Sequence, residues 1–154
     1  GNGLQPIAPG EADVCVIGGM GGRLIRQILE NNPATTSSFR KLILQPMNGE
    51  VKLRSWLLDN GWKLVREEIL VMDELYLYLV AEQGEMILND PFLLEIGPLL
   101  ALTPSIEQQE YIRANLSKLN HILTSIGLGN VLDEKRLIEI QDKISKWKEY
   151  LDGN

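Results

Sequence analysis

The run Asp13-Val14-Cys15-Val16-Ile17 breaks directly into Gly18-Gly19-Met20-Gly21-Gly22, after which Leu24, Ile25, Ile28 and Leu29 recur at helical spacing. β-Branched residues favour a strand, glycines permit the turn, and the 3.6-residue period marks an amphipathic helix. Strand, glycine turn and helix in that order restrict the chain to α/β architectures. Asn31-Asn32-Pro33 ends the helix and Ala34 to Ser38 is polar enough to be expected as loop. Leu42-Ile43-Leu44 then forms a second buried strand, closed by Gln45-Pro46 because proline cannot donate to a ladder. Val51 to Leu58 is expected as a short helix with Leu53, Trp56 and Leu57 inward and Asn60-Gly61 as its stop. Two further strands, Lys63 to Val71 and Leu75 to Glu82, flank an Asp73-Glu74 turn. Alternating strands and helices followed by a strand pair predict a mostly parallel sheet with an antiparallel edge.

Beyond Pro98 the pattern changes. Ser105 and Gln108 are spaced as a capping box, and Ile112, Leu116, Leu119, Leu123 and Ile126 form a heptad seam. Gly127 and Gly129 interrupt it, and Leu137, Ile140, Ile144, Trp147 and Leu151 form a second seam of similar length. Two such stripes joined by a short loop predict an antiparallel helical hairpin of coiled-coil type. The expected division is therefore residues 1–102 and 103–154.

At 154 residues, 44% hydrophobic and 23% charged, the chain has ordinary globular composition and enough length for its own core. Fifteen Lys and Arg against 21 Asp and Glu leave a net charge of −6, which argues against gripping nucleic acid by bulk charge but leaves room for a local basic face. A single cysteine, Cys15, excludes an intrachain disulfide and a cysteine-built zinc site, and favours a reducing, cytoplasmic setting. The first ten residues lack the features of a secretory signal, and the longest apolar stretch, Phe92 to Leu102, is broken by Glu95, Gly97 and Pro98, so no membrane association is expected. The start at Gly1, in a turn-like Gly-Asn-Gly, raises the expectation of an absent upstream segment.

A glycine turn between strand and helix is where α/β proteins bind ligands, since the backbone can be approached closely and the helix start offers free N–H groups. As a dinucleotide fingerprint the stretch fails: Gly19-x-Gly21-x-x-Leu24 lacks the third glycine, and no acid follows at the end of the next strand. Gln45-Pro46-Met47-Asn48 follows the second strand, so parallel strands bring it to the same crevice, where the amides of Gln45 and Asn48 either read the edge of a base or, as is commoner for such residues alone, serve the turn and the cap. The only histidine, His121, lies off the hairpin seam and far from these loops in sequence, which argues against a catalytic dyad. Cys15 sits inside a buried strand, where thiols are inert packing.

The Asp13–Gly22 stretch, Leu42-Ile43-Leu44-Gln45-Pro46, Leu53-Arg54-x-Trp56-Leu57, Asn60-Gly61 and Ile96-Gly97-Pro98 with a following hairpin together resemble the bacterial tRNA adenine N1-methyltransferase family that modifies adenine-22. The resemblance runs from Gly1 to the end, and its most specific parts are the GMGG loop and the LQP turn together. It implies the carboxyl-terminal half of a class I, Rossmann-like methyltransferase sheet, with Asp13–Ile17 as the fourth strand and Leu42–Leu44 as the fifth. It implies S-adenosylmethionine as cofactor, met by Asn2, Gly3, Gly18, Gly19, Met20 and Gly21, and tRNA as substrate. By their place at the sheet edge Gln45, Pro46 and Asn48 would face the base, and the cluster of Lys143, Lys146 and Lys148 is permissive for contact with the tRNA backbone and equally typical of a solvated helix face. No metal and no covalent enzyme intermediate are needed, and no catalytic base is named. The first three strands, the cofactor loop after the first of them and the ribose-binding acid have no counterpart here, and Met47 stands where many relatives carry Asn. A fourth strand without its neighbour would leave an apolar edge, so the missing half or a second copy is expected to pair with it. The rival reading is a non-catalytic module whose hairpin binds RNA or a protein. Residues 105–154 hold seven cations against eight acids, the remainder eight against thirteen, so the hairpin is the less acidic part.

Overall fold

The protein, as a computed structural model, is described over residues 3–127 and 133–153. It divides into two compact units, Gly1–Thr103 and Pro104–Asn154.

The first unit is a four-stranded sheet with helices. Strand β1 is Val14–Met20, followed by α1 (Gly22–Glu30), α2 (Pro33–Ser38), β2 (Lys41–Pro46), α3 (Glu50–Asp59), β3 (Trp62–Val71), β4 (Leu75–Gln83) and the single turn α4 (Leu93–Ile96). The spatial order is β1-β2-β4-β3, with β1–β2 parallel and both β2–β4 and β3–β4 antiparallel. Three strands thus point one way, as expected. The reversed β4 lies between β2 and β3, however, so only one of the three ladders is parallel. A tight turn at Asp73-Glu74 permits this: it lets β4 fold back along β3 and leaves its other edge for β2.

Registered rows show how the alternating pattern builds the core. Cys15, Leu42, Ala81 and Leu64 lie side by side on one face, and the next inward row is Ile17, Leu44, Leu79 and Glu67. All eight are buried, and the helices set fully buried Ile25, Leu29, Leu53 and Leu57 into the same core. On the other face of β1, Val14 and Val16 are exposed, Val16 to 70%. The outer edge of β1 has no partner strand among the described residues.

Residues 34–38, expected as loop, belong to α2, which begins at Pro33. Pro33 occupies its first position, where a missing N–H costs nothing. Two of its hydroxyls bond outside the helix: Thr36 donates to Leu29 O at 2.8 Å and Thr35 to Ile7 O at 3.1 Å. Trp56, expected in the core, is only half-buried, because the inward stripe of α3 is Leu53, Arg54 and Leu57.

The second unit holds α5 (Ile106–Gly127) and α6 (Glu134–Asp152). They run antiparallel, since Tyr111 near the start of α5 meets Trp147 near the end of α6 with ring centroids 6.2 Å apart, and Gln108 Nε2 donates to the Tyr150 hydroxyl at 3.2 Å. The two seams are the least exposed stripes: Ile112, Leu116, Ile144 and Trp147 are buried, and the other seam residues are half-buried. Ser105 caps α5 by accepting from Gln108 N at 3.1 Å. The Glu107 carboxyl is held below its ordinary range by its own backbone N–H and then by Ser105. Gly129 of the expected turn lies outside the described residues.

Candidate functional site at the carboxyl edge of the parallel strands

The strand does not stop at the first glycine. β1 continues through Gly18 and Gly19 to Met20, and its register shifts at Gly19, which has φ +74°. That left-handed conformation is nearly free only for glycine. It lets the ladder resume with Met20 opposite Pro46, so the free turn expected at 18–22 shrinks to Gly21 at the cap of α1.

The two segments following β1 and β2 are joined by a row of hydrogen bonds. Gly19 N donates to Gln45 Oε1 at 2.7 Å, Met47 N to Met20 O at 2.9 Å, and Gly22 N to Asn48 O at 2.8 Å. Gln45 Nε2 lies 3.4 Å from Met47 Sδ. Glycine density follows from this closeness. A Cβ on Gly22 would lie 2.7 Å from Gly49 O, and one on Gly21 would lie 2.8 Å from Asn48 Oδ1, the end of a flexible side chain. A Cβ on Gly19 would meet nothing within 4 Å, so this glycine borders open space at the strand end.

The structure therefore brings Gly18, Gly19, Met20 and Gly21 together with Gln45, Pro46 and Asn48. Gln45 spends its carbonyl oxygen on Gly19, whereas the Asn48 side chain is exposed. Gly3 packs against Ile28, well along α1, where its Cβ would be 3.1 Å from Ile28 Cγ2. Asn2 lies outside the described residues. Lys146 and Lys148 are exposed on α6 and Lys143 is half-exposed. His121 is exposed on α5, and burial pushes the Cys15 thiol up, which keeps it protonated at neutral pH.

Two constellations escaped the sequence reading. Arg54 and Glu67 form an ion pair, Nε to Oε1 at 2.7 Å, with both side chains fully buried. Arg54 Nη1 donates to Leu94 O at 2.8 Å, and Leu99 N donates to Glu67 Oε2 at 2.8 Å, so the pair fastens the 93–102 segment onto α3 and β3. Gly97, at φ +103°, passes so close that a Cβ would lie 2.9 Å from Arg54 Nη2. The available signal was an acid, Glu67, at an inward position of a strand. The second is a cleft of about 360 Å³ between α1 and α3, lined by Gly22, Arg23, Arg26, Asn48, Gly49, Lys52 and Leu53.

Parallel strands whose carboxyl ends carry a glycine bulge and a facing turn, with helices starting directly behind both, define the ligand edge of a Rossmann-like α/β protein. Solved structures agree. A Streptococcus agalactiae protein of the NADB-Rossmann superfamily matches 98% of this chain with a TM-score of 0.87 and 35% identity. A Streptococcus pneumoniae structure solved in complex with S-adenosyl-L-methionine matches the same share with a TM-score of 0.84 and 34% identity. The family model for tRNA (adenine(22)-N(1))-methyltransferase matches residues 1–149, and the chain belongs to that family. The Bacillus subtilis tRNA (adenine(22)-N(1))-methyltransferase is 32% identical over 160 residues, 99% of this chain. The chain spans about two thirds of these relatives, 67% of the Bacillus protein and 65% of the Streptococcus agalactiae one.

Proposed function

We propose that this chain carries the substrate-facing part of an S-adenosylmethionine-dependent enzyme that methylates N1 of an adenine in tRNA. The observation that carries the reading is the hydrogen-bonded junction of the 18–22 and 45–48 segments at one sheet edge. It supports a site in which two ligands meet across a rigid backbone. When bound, S-adenosylmethionine supplies an electrophilic methyl group on a sulfonium. The residues fit such a ligand in part: Gly18 and Gly19 are exposed at the strand end, and Gly19 borders open space, so a ligand can reach the backbone without meeting a side chain.

Methyl transfer to a ring nitrogen needs little from the protein beyond placement of the base and exclusion of competing orientations. Asn48 offers a donor and an acceptor to the base edge. Gln45 acts through Gly19, holding the strand end in place, and Pro46 stiffens the turn. Of Lys143, Lys146 and Lys148 on α6, the first two contribute contacts to tRNA phosphates, while Lys148 emerges on the other side of the packed stripe. The unpaired edge of β1 receives a further strand, from the same protein or a second copy. No described helix is long and apolar enough to cross a membrane. A tRNA substrate supports a cytoplasmic setting for the activity.

The test is methyl transfer from labelled S-adenosylmethionine by the full-length protein to a tRNA transcript. Incorporation is expected, and replacing adenine-22 by guanine abolishes it. Incorporation indifferent to that replacement overturns the assignment. Binding of tRNA without any transfer favours the rival interaction module.

A further inference from the structure

The cleft between α1 and α3 has no part in the reading above, and its chemistry is unlike the rest of the chain. In a protein of net charge −6, three cationic side chains, Arg23, Arg26 and Lys52, line one small cavity with Asn48 and the backbone of Gly22 and Gly49. Arg23 and Lys52 are exposed and make no ion pair among the described residues. Arg26 is half-exposed. Its Nε lies 3.4 Å from Glu30 Oε1, yet that nitrogen is buried and has no hydrogen-bond partner. The Glu30 carboxylate offsets part of the Arg26 charge, so Arg23 and Lys52 are the cations of the cleft without an ion-pair partner among the described residues.

Two helix starts add to this field. The Gly22 N to Asn48 O bond fastens the beginning of α1 to the residues preceding α3, so the positive ends of a nine-residue and a ten-residue helix converge on the cavity. The cations are the main component; the helix ends deepen the potential they create.

We propose that this cleft binds a backbone phosphate of the tRNA next to the nucleotide being modified. The proposal rests on the tRNA-methyltransferase reading above and names a second contact for the same substrate. A volume of about 360 Å³ is at the small end of ligand cavities, which suits a phosphodiester better than a nucleoside cofactor. Asn48 borders both the cleft and the turn assigned to the base, so a phosphate held by Arg23 and Lys52 fixes the backbone beside that base. Phosphate contacts of this kind set register and orientation while sequence is read elsewhere.

The experiment compares the full-length wild type with the doubles Arg23→Gln/Lys52→Gln and Arg23→Lys/Lys52→Arg, measuring tRNA affinity against salt and S-adenosylhomocysteine affinity by calorimetry. The neutral double is expected to bind tRNA roughly tenfold or more weakly and to lose about 1.8 from the log–log salt slope for duplex contacts, or about 1.4 for single-stranded ones. The charge-conserving double is expected to keep the wild-type slope, and both variants to keep wild-type S-adenosylhomocysteine affinity, which also reports that they are folded. An unchanged slope in the neutral double, in a protein that still methylates tRNA, overturns the cleft alone. Weaker S-adenosylhomocysteine binding with unchanged tRNA affinity also overturns it, since the cleft would then serve the cofactor. Equal loss in both doubles points to packing and overturns it too. Absence of tRNA binding by the wild type removes the cleft proposal together with the functional reading.

Discussion

At the residue scale the four glycines of residues 18–22 look alike in sequence and act differently in the structure. Gly19 is required by its φ of +74°, Gly22 by backbone contact, and Gly21 only by the position of a side chain. Gly21 has φ −65°, so alanine fits its backbone there, and the new Cβ displaces Asn48 Oδ1. Gly21→Ala is therefore expected to keep wild-type stability in urea while lowering the methylation rate, because Asn48 is moved from its proposed place beside the base. Gly22→Ala pushes against the Gly49 carbonyl, which cannot yield without parting the two segments, and should cost about 1–3 kcal/mol of stability. Equal urea midpoints for the two variants would refute this division of roles. The sequence made the glycine cluster visible as a site, but its reasons are long-range contacts with residues 45–49, which no local pattern encodes.

Among the elements, β1, β2, α3, the β3–β4 pair and both hairpin helices were legible, because alternation and 3.6-residue spacing report burial directly. What was not legible depended on partners distant in sequence. The 33–38 helix draws on Leu29 and Ile7 carbonyls, and the placing of β4 between β2 and β3 depends on which free edge it meets. Facing loops at the 18–22 and 45–48 segments followed from parallel strands alone, whereas the Arg54–Glu67 pair did not, since no local pattern pairs Glu67 with an arginine 13 residues earlier. That pair joins three segments and has a measurable signature. Arg54→Met leaves Glu67 buried without a counter-ion and should destabilise by about 3–5 kcal/mol. Arg54→Met with Glu67→Leu should recover part of that loss, though not all, because Leu94 O loses its donor with Arg54 and Leu99 N loses its acceptor with Glu67. A double-mutant cycle from urea unfolding checks it, and strictly additive losses would show that the two side chains do not act as a unit.

On the scale of the whole molecule, net charge proved a poor guide to where an anionic substrate could be met. The more acidic of the two units contains the cationic cleft, and the hairpin, nearly balanced, carries Lys143, Lys146 and Lys148 close together in sequence. Their placement on α6 limits what they can do jointly. At about 100° per residue, Lys143 and Lys146 lie roughly 60° apart around the helix, and Lys148 is roughly 140° from the first and 160° from the second. Buried Trp147 lies between Lys146 and Lys148 in the chain, so these two lysines emerge on opposite sides of the packed stripe. One RNA strand can therefore engage Lys143 and Lys146 together but not all three. Replacing all three by Glu in the full-length protein should weaken tRNA binding and lower the log–log salt slope by about 1.8 for duplex contacts, the value for two phosphates rather than three. Lys148→Glu alone should leave that slope unchanged, and S-adenosylhomocysteine affinity should match wild type throughout. Salt titrations of tRNA binding distinguish the outcomes: a slope unaffected by the triple substitution would assign these lysines to solvation of the helix and leave the sheet unit to hold the RNA.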